Sequence, residues 1–337
     1  MKSVVQSSEQ QDPAESMEKG SEIPRVSVVM PAYNTAAYIA ESIDSVLEQD
    51  YPDLELIVVD DGSTDGTLEI VRGYGERLTL LVQHNQGAAV ARNAGIAAAA
   101  GEYIAFIDSD DVWLPGKIRA QVAHMERHPY IGMTFTAWYN WKPEASGAFR
   151  RPAGATSPFP KDPSAGELIA RGSGWLYNRL LFGSLPHTIT VMMRRGLVER
   201  IGPFDPDLKR GQDYDYWLRA SRLTEIHQLN LVTALYRLHG EGCITHYPGT
   251  NYEYEVIRKA IQRWGLVGPK GEKTSRRAIR KRLAQTCFSY GYHHYWGGDA
   301  KLAVRAFAQS VWLDPWRLST FAYVLLSAGK STRRGAR

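Results

Sequence analysis

Between Arg25 and Arg127 four short β-rich runs alternate with stretches of helical spacing, and three of the runs stop in polar clusters. The runs are Arg25 to Met30, Leu54 to Val59, Leu78 to Gln83 and Tyr103 to Ile107. Runs this short and this apolar, bounded by Gly and polar residues, fit strands buried on both faces of a parallel sheet. Strand–helix alternation with short connections predicts a doubly wound, mostly parallel α/β sheet. Pro31-Ala32-Tyr33-Asn34, Asp60-Asp61-Gly62-Ser63-Thr64-Asp65 and Asp108-Ser109-Asp110-Asp111 close the first, second and fourth runs. In such sheets ligands bind at the carboxyl ends of the strands, so three polar strand ends point to one nucleotide-type site.

The helical stretches are expected after Asn34 or Thr35 as N-cap, over Thr67 to Tyr74, within His84 to Ala100 after a Gly-containing loop, and from Pro115 to about Arg127, with Pro115 in a first helical turn. Ile131 to Trp141 is expected as a strand, 142–166 as a loop, His187 to Met193 as a strand and 211–219 as a helix. The carboxylates of 108–111 repel one another, and a cation, solvent or hydrogen-bond donors must compensate them. Mg²⁺ or Mn²⁺ suits them, since hard cations take carboxylates together with substrate phosphates. An acidic turn capping the next helix is the other reading of the same residues.

Charge divides the chain. Residues 1–24 carry 2 Lys and Arg against 5 acids, 25–255 carry 21 against 28, and 256–337 carry 17 against 3, a net +14. The polar first segment is expected to be a disordered tail without a secretory pattern. Residues 25–255 read as the catalytic domain and 256–337 as a basic, mainly helical region. That basic end invites an anionic membrane surface or a nucleic acid as partner. Cys243 and Cys287 offer no disulfide framework, which fits a reducing compartment. No apolar stretch approaches the roughly 20 residues of a membrane span. Ala300 to Leu313 followed by Asp314-Pro315 is similar to a single tetratricopeptide unit, too little to stack as a solenoid.

The PAYN and DDGSTD clusters, Gly87 with Ala91-Arg92-Asn93, and DSDD, in this order and spacing, resemble the inverting family 2 glycosyltransferases of the GT-A fold. The resemblance is strong over residues 25 to about 130. It implies that Pro31, Ala32, Tyr33 and Asn34 line a nucleotide pocket, with Tyr33 against the base. Asp61 would accept from a uracil-like ring N–H. Arg92 would meet the diphosphate or else be held in a salt bridge. Asp108 and Ser109 would lie on the ribose or metal side, and Asp110 would bind the metal. Asp111 would cap the next helix. Family members commonly read Glu-Asp where this chain has Gln212-Asp213, and the second acid is the base; Asp215 competes for that role. Tyr236-Arg237-Leu238-His239 resembles a YRxH element, making His239 a further metal ligand or diphosphate donor; His246 has a weaker claim.

The expected activity is transfer of a sugar from a nucleoside-diphosphate sugar, UDP-linked by resemblance, to a glycan or lipid-linked acceptor in surface polysaccharide or glycolipid assembly. A divalent metal, Mn²⁺ or Mg²⁺, is the expected cofactor. The expected location is cytoplasmic, with peripheral contact at the inner face of the cell membrane and no nucleic acid as partner. Two other readings stand beside it: a nucleotidyltransferase on a related sheet, and a non-catalytic nucleic-acid or scaffold protein using the basic end.

Overall fold

The computed structural model describes residues 23–152, 159–160, 167–239 and 248–334. Cys243, His246 and most of the expected disordered tail lie outside them. The strands are β1 (Val26–Ala32), β2 (Leu54–Asp60), β3 (Thr79–Val82), β4 (Tyr103–Phe106), β5 (Val112–Trp113), β6 (Ile131–Trp141), β7 (Phe159–Pro160), β8 (Met192–Arg194) and β9 (Glu225–Arg237). The helices are α1 (Ile39–Leu47), α2 (Thr67–Arg72), α3 (Ala88–Ala98), α4 (Lys117–Arg127), α5 (Tyr177–Leu180), α6 (Arg195–Ile201), α7 (Gln212–Ala220), α8 (Tyr252–Trp264), α9 (Arg276–Gly297), α10 (Ala300–Leu313) and α11 (Leu318–Arg334).

One mixed sheet runs in the order β3-β2-β1-β4-β8-β6-β9-β5, with β7 on β9. β3, β2, β1 and β4 are mutually parallel. β8 then pairs antiparallel with both β4 and β6. The chain winds away from β1 through β2 and β3, then returns past it to β4. The strand order therefore reverses between β1 and β4, where a crevice opens at their carboxyl ends.

The two-residue period of the strands sorts the core into two layers. Val29, Ile57, Val59, Ile104 and Phe106 face α3, α6, α7 and α8, while Val28, Met30, Leu56, Val58 and Ala105 face α1 and α4. Gly95 sets how closely α3 seats on the sheet. A Cβ there would stand 2.5 Å from Val29 Cγ1 and 3.3 Å from Val59 Cγ2. The first core layer continues without interruption into the C-terminal helices, taking in Val256, Ala260, Ile279, Ala284 and Leu313.

The structure departs from the sequence expectations in three places. The first helix begins at Ile39, because Asn34 has φ 52° and turns its side chain to Thr64 instead of capping. Asp111 does not cap a helix. Its fully buried carboxylate accepts the Arg237 main-chain N–H at 2.7 Å, the next two residues form β5 against β9, and the helix waits until Lys117, after Gly116 at φ 85°. His187 to Met193 is mostly not strand. A 3₁₀ turn occupies Thr188–Thr190, where the Thr190 hydroxyl donates to the His187 carbonyl, a local bond that competes with a sheet ladder.

Candidate active site

Three strand ends meet at the crevice. At the end of β1, Tyr33 is exposed. The Asn34 N–H donates to Ser63 Oγ at 3.0 Å, and Asn34 Oδ1 accepts the Thr64 N–H at 2.8 Å. The left-handed backbone that this needs is one Asn tolerates well. At the end of β2, Asp61 is buried and takes three donors: Gln83 Nε2 at 2.7 Å, the Gln86 N–H at 2.9 Å and the Gly87 N–H at 2.8 Å. Asp61 thereby fixes the loop that leads into α3.

α3 carries Arg92, which is buried and paired with Asp108 at 2.6 Å. Its Nε is buried without a partner among the described residues. Beyond β4, Ser109 is buried and its hydroxyl accepts from Thr35 Oγ1 at 3.0 Å. Asp110 meets His239 Nε2 at 2.9 Å. Burial and the Asp108 charge raise the Asp110 pKa, with His239 pulling it down. Burial and the charges of Asp110 and Asp108 push Asp111 well above the usual carboxylate range, against the opposing pull of Arg237.

Arg237 ties this cluster to the rest of the sheet. Besides its N–H on Asp111, its Nε donates to the Asp110 carbonyl at 2.7 Å and it pairs with Glu41 at 2.6 Å. Its guanidinium lies 4.3 Å from the Trp141 ring centre and 5.0 Å from that of Tyr38. Tyr38 in turn packs on His239, with ring centres 4.5 Å apart.

Asp213 opens α7 after Gly211, whose φ is 72°. It accepts the Thr188 hydroxyl at 3.2 Å. Asp215 points to the other flank, pairing with Arg219 at 2.8 Å. There it lines a cavity of about 400 Å³ with Pro203, Lys259 and Trp264, on the far side of α7 from Asp213. The Gln212 side-chain oxygen is buried and unpartnered among the described residues.

His187 joins the two halves. Burial lowers its pKa, the charges of Asp108 and Asp213 oppose that, Arg92 adds to it, and Asp110 opposes it again. His187 neighbours Thr188, the donor to Asp213, and packs on Tyr236, three residues before His239 and its contact with Asp110. Its ring packs against Trp138 and Tyr236, at 4.9 Å and 4.7 Å between centres. The turn that presents it is held from behind: Trp113 Nε1 donates to the Ile189 carbonyl at 2.7 Å and Gln121 Nε2 to the Thr190 carbonyl at 3.0 Å. Sequence reasoning took His187 for the start of a strand and missed both it and Thr188. A polar His-Thr pair closing a Gly- and Pro-containing segment was the available signal.

A divalent cation is compatible with this chemistry, although the described residues contain no group of three or more His, Cys, Asp or Glu side chains placed to enclose one. Asp108 and Asp110 could contribute two carboxylates, with His239 beside Asp110 at 2.9 Å. An ion shared with substrate phosphates needs only one or two protein carboxylates.

The description "Glycosyl transferase family 2" matches residues 27–180. An uncharacterized glycosyltransferase of Rickettsia typhi is 31% identical over 243 residues, 72% of each chain. The chain belongs to the family 2 glycosyltransferases. It covers 64% and 65% of two further bacterial relatives' own lengths. A putative teichuronic acid biosynthesis glycosyltransferase, TuaG of Bacillus subtilis, is 46% identical over 106 residues, 30% of this chain and 42% of its own. Among solved structures, S. aureus TarS 1–349 in complex with UDP-GlcNAc matches with a TM-score of 0.61 at 21% identity, over 92% of both chains. The mannosyltransferase PcManGT of Pyrobaculum calidifontis, in complex with GDP-Man and Mn²⁺, matches with a TM-score of 0.52 at 21% identity, over 95% of this chain and 92% of its own. At that identity the likeness shows the fold, and the fold of this family 2 chain is GT-A.

Proposed function

We propose that this glycosyltransferase moves a sugar, with inversion, from a nucleoside-diphosphate sugar to an acceptor hydroxyl, and that Asp213 is the base. The observation that carries the reading is the turn at His187 and Thr188: the Thr188 hydroxyl donates to Asp213 at 3.2 Å, and the His187 ring packs 4.7 Å from that of Tyr236, three residues before His239, which meets Asp110 at 2.9 Å. A donor diphosphate at the DSD cluster would present its sugar toward Asp213.

In this reading Asp213 takes the proton of the acceptor hydroxyl. The oxygen attacks the anomeric carbon, and the bond from that carbon to the diphosphate breaks with its electron pair going to the diphosphate. One displacement without a covalent intermediate inverts the configuration. The Thr188 hydroxyl and the main-chain N–H of Tyr214, which donates to Asp213 Oδ1 at 2.8 Å, orient the carboxylate. Mn²⁺ or Mg²⁺, taken up by Asp110 and Asp108 with His239 beside them, would supply Lewis-acid stabilisation of the leaving diphosphate. Tyr33 offers its exposed ring to the base, a uracil in the simplest case, with Pro31, Ala32 and Asn34 shaping the pocket wall. Asp61 has oxygen capacity beyond its three present donors for a ring N–H. Ser109 and Asp108 serve the ribose side, and Arg92 holds Asp108 in place. The acceptor class is a glycan or lipid-linked sugar of surface polysaccharide assembly, a setting supported by the teichuronic acid relative.

Asp213→Asn tests the assignment. Sugar transfer should fall by several orders of magnitude while UDP still raises the melting temperature as it does in wild type. Turnover near that of wild type would remove Asp213 from the mechanism.

A further inference from the structure

The last helix carries apolar residues on two sides: Tyr323 stacks on Phe307 within the bundle, with ring centres 5.2 Å apart. Thr320 and Ser327, both with buried hydroxyls that have no partner among the described residues, face the bundle. Phe321, Leu325 and Leu326 face outward, with Leu325 75% exposed. Residues 321 and 325 share a helix face at four-residue spacing, and 326 lies beside it. Trp312 in the last turn of α10 and Trp316 in the turn leading into α11 add two more large apolar groups, at 73% and 85% exposure. Isolated exposed leucines are ordinary, but a helix already packed on one side that keeps a second apolar side open to solvent signals a missing cover.

Charge says what covers it. The guanidinium of Arg280 donates to the Trp312 carbonyl at 3.2 Å, which brings the first turns of α9 to the tryptophan corner. Arg276, Arg277 and Lys281 stand exposed within one turn of Arg280 and have no ion-pair partner among the described residues. Residues 256–337 carry +14 overall. Tryptophans beside leucines and a basic rim match the boundary of an anionic bilayer, where indole rings sit at headgroup depth and cations meet lipid phosphates. No described helix is long and apolar enough to cross a membrane, so contact would be along the surface.

We propose that the outward face of α11, with the Trp312–Trp316 corner and the basic start of α9, docks on an anionic lipid surface. The surface lies on the C-terminal helices and is independent of the assignment of Asp213.

Co-sedimentation of the full chain with vesicles is the test, using phosphatidylcholine alone and phosphatidylcholine mixed with phosphatidylglycerol. Wild type should bind the mixed vesicles at least ~10-fold more tightly than the neutral ones, and high salt should weaken that binding. Three variants probe separate parts: Trp312→Ala with Trp316→Ala, Leu325→Ser with Leu326→Ser, and Arg276→Glu with Arg277→Glu and Lys281→Glu. Each changes exposed side chains, circular dichroism checks the fold, and each should weaken binding by roughly 10-fold or more. Failure of wild type to bind mixed vesicles would overturn the proposal, as would unchanged binding in the folded variants. A concentration-dependent dimer that Leu325→Ser with Leu326→Ser converts to monomer, without vesicle binding, would assign the face to a second copy of the chain.

Discussion

At the level of single residues, His187 stands next to Thr188, the donor to Asp213, and against Tyr236. Burial lowers its pKa against the opposing charges of Asp108, Asp213 and Asp110, and its Nδ1 is buried without a partner among the described residues. A group so placed can contact diphosphate or acceptor and can keep the carboxylates apart. His187→Ala should lower kcat/KM by roughly 10–100-fold with the melting temperature little changed, read from donor and acceptor titrations. An unchanged kcat/KM would make the residue packing for Trp138 and Tyr236 only. Much of the site was legible in the sequence because its residues sit at strand ends in short motifs, where spacing alone fixes proximity: Tyr33, Asp61, Asp108 and Asp110 are such cases. His187 and Thr188 escaped because a 3₁₀ turn carries them across the crevice, and its anchors come from Trp113 and Gln121, about 70 residues earlier in the chain. Arg237 was visible only as part of a YRLH string. Its role depends on Glu41 and Asp111, which no local pattern connects to it.

At the level of elements, α4 holds a feature that costs stability. Lys117 is fully buried, donates to Gln121 Oε1 and lies 4.3 Å from the Trp113 ring centre, with no acid among its described partners. Burial lowers its pKa to about 7. Between that value and the ordinary lysine range the unfolded chain binds more protons than the folded one, so stability rises with pH there and levels off below 7, where both states carry the proton. Lys117→Met should remove this slope and stabilise the protein by about 1–3 kcal/mol at pH 7, measured by urea unfolding at pH 7 and pH 9. An equal slope in both proteins would show that the amine is not desolvated. Gly95→Ala tests the other face. With Val29 Cγ1 at 2.5 Å from the added Cβ, α3 must lift from β1, which should cost about 1–3 kcal/mol in the same assay. The parallel half of the sheet could be read from alternation of runs. The antiparallel half could not, since β5 has two residues and β8 three, and only pairing with distant β9, β4 and β6 makes them strands.

For the whole molecule, two features belong together. The sheet's first core layer runs on into α8 and α9, so the basic C-terminal helices are braced against the same hydrophobic layer that backs α3 and α7. Charge was legible as a +14 segment, whereas the outward apolar face of α11 was not, because a run such as Phe321 to Leu326 reads as ordinary amphipathic helix until burial shows which side is covered. The same continuity means that a lipid surface on α11 and a donor crevice at β1 and β4 would be held in a fixed relation by one core. The central claim is that Asp213 and the DSD carboxylates serve one substrate from two sides of that crevice. A crystal structure of Asp213→Asn with UDP-GlcNAc and Mn²⁺ tests it most directly. The expected result is diphosphate and metal at Asp108 and Asp110, with the anomeric carbon between them and residue 213. Nucleotide bound away from the DSD cluster, or a sugar pointing away from residue 213, would contradict it.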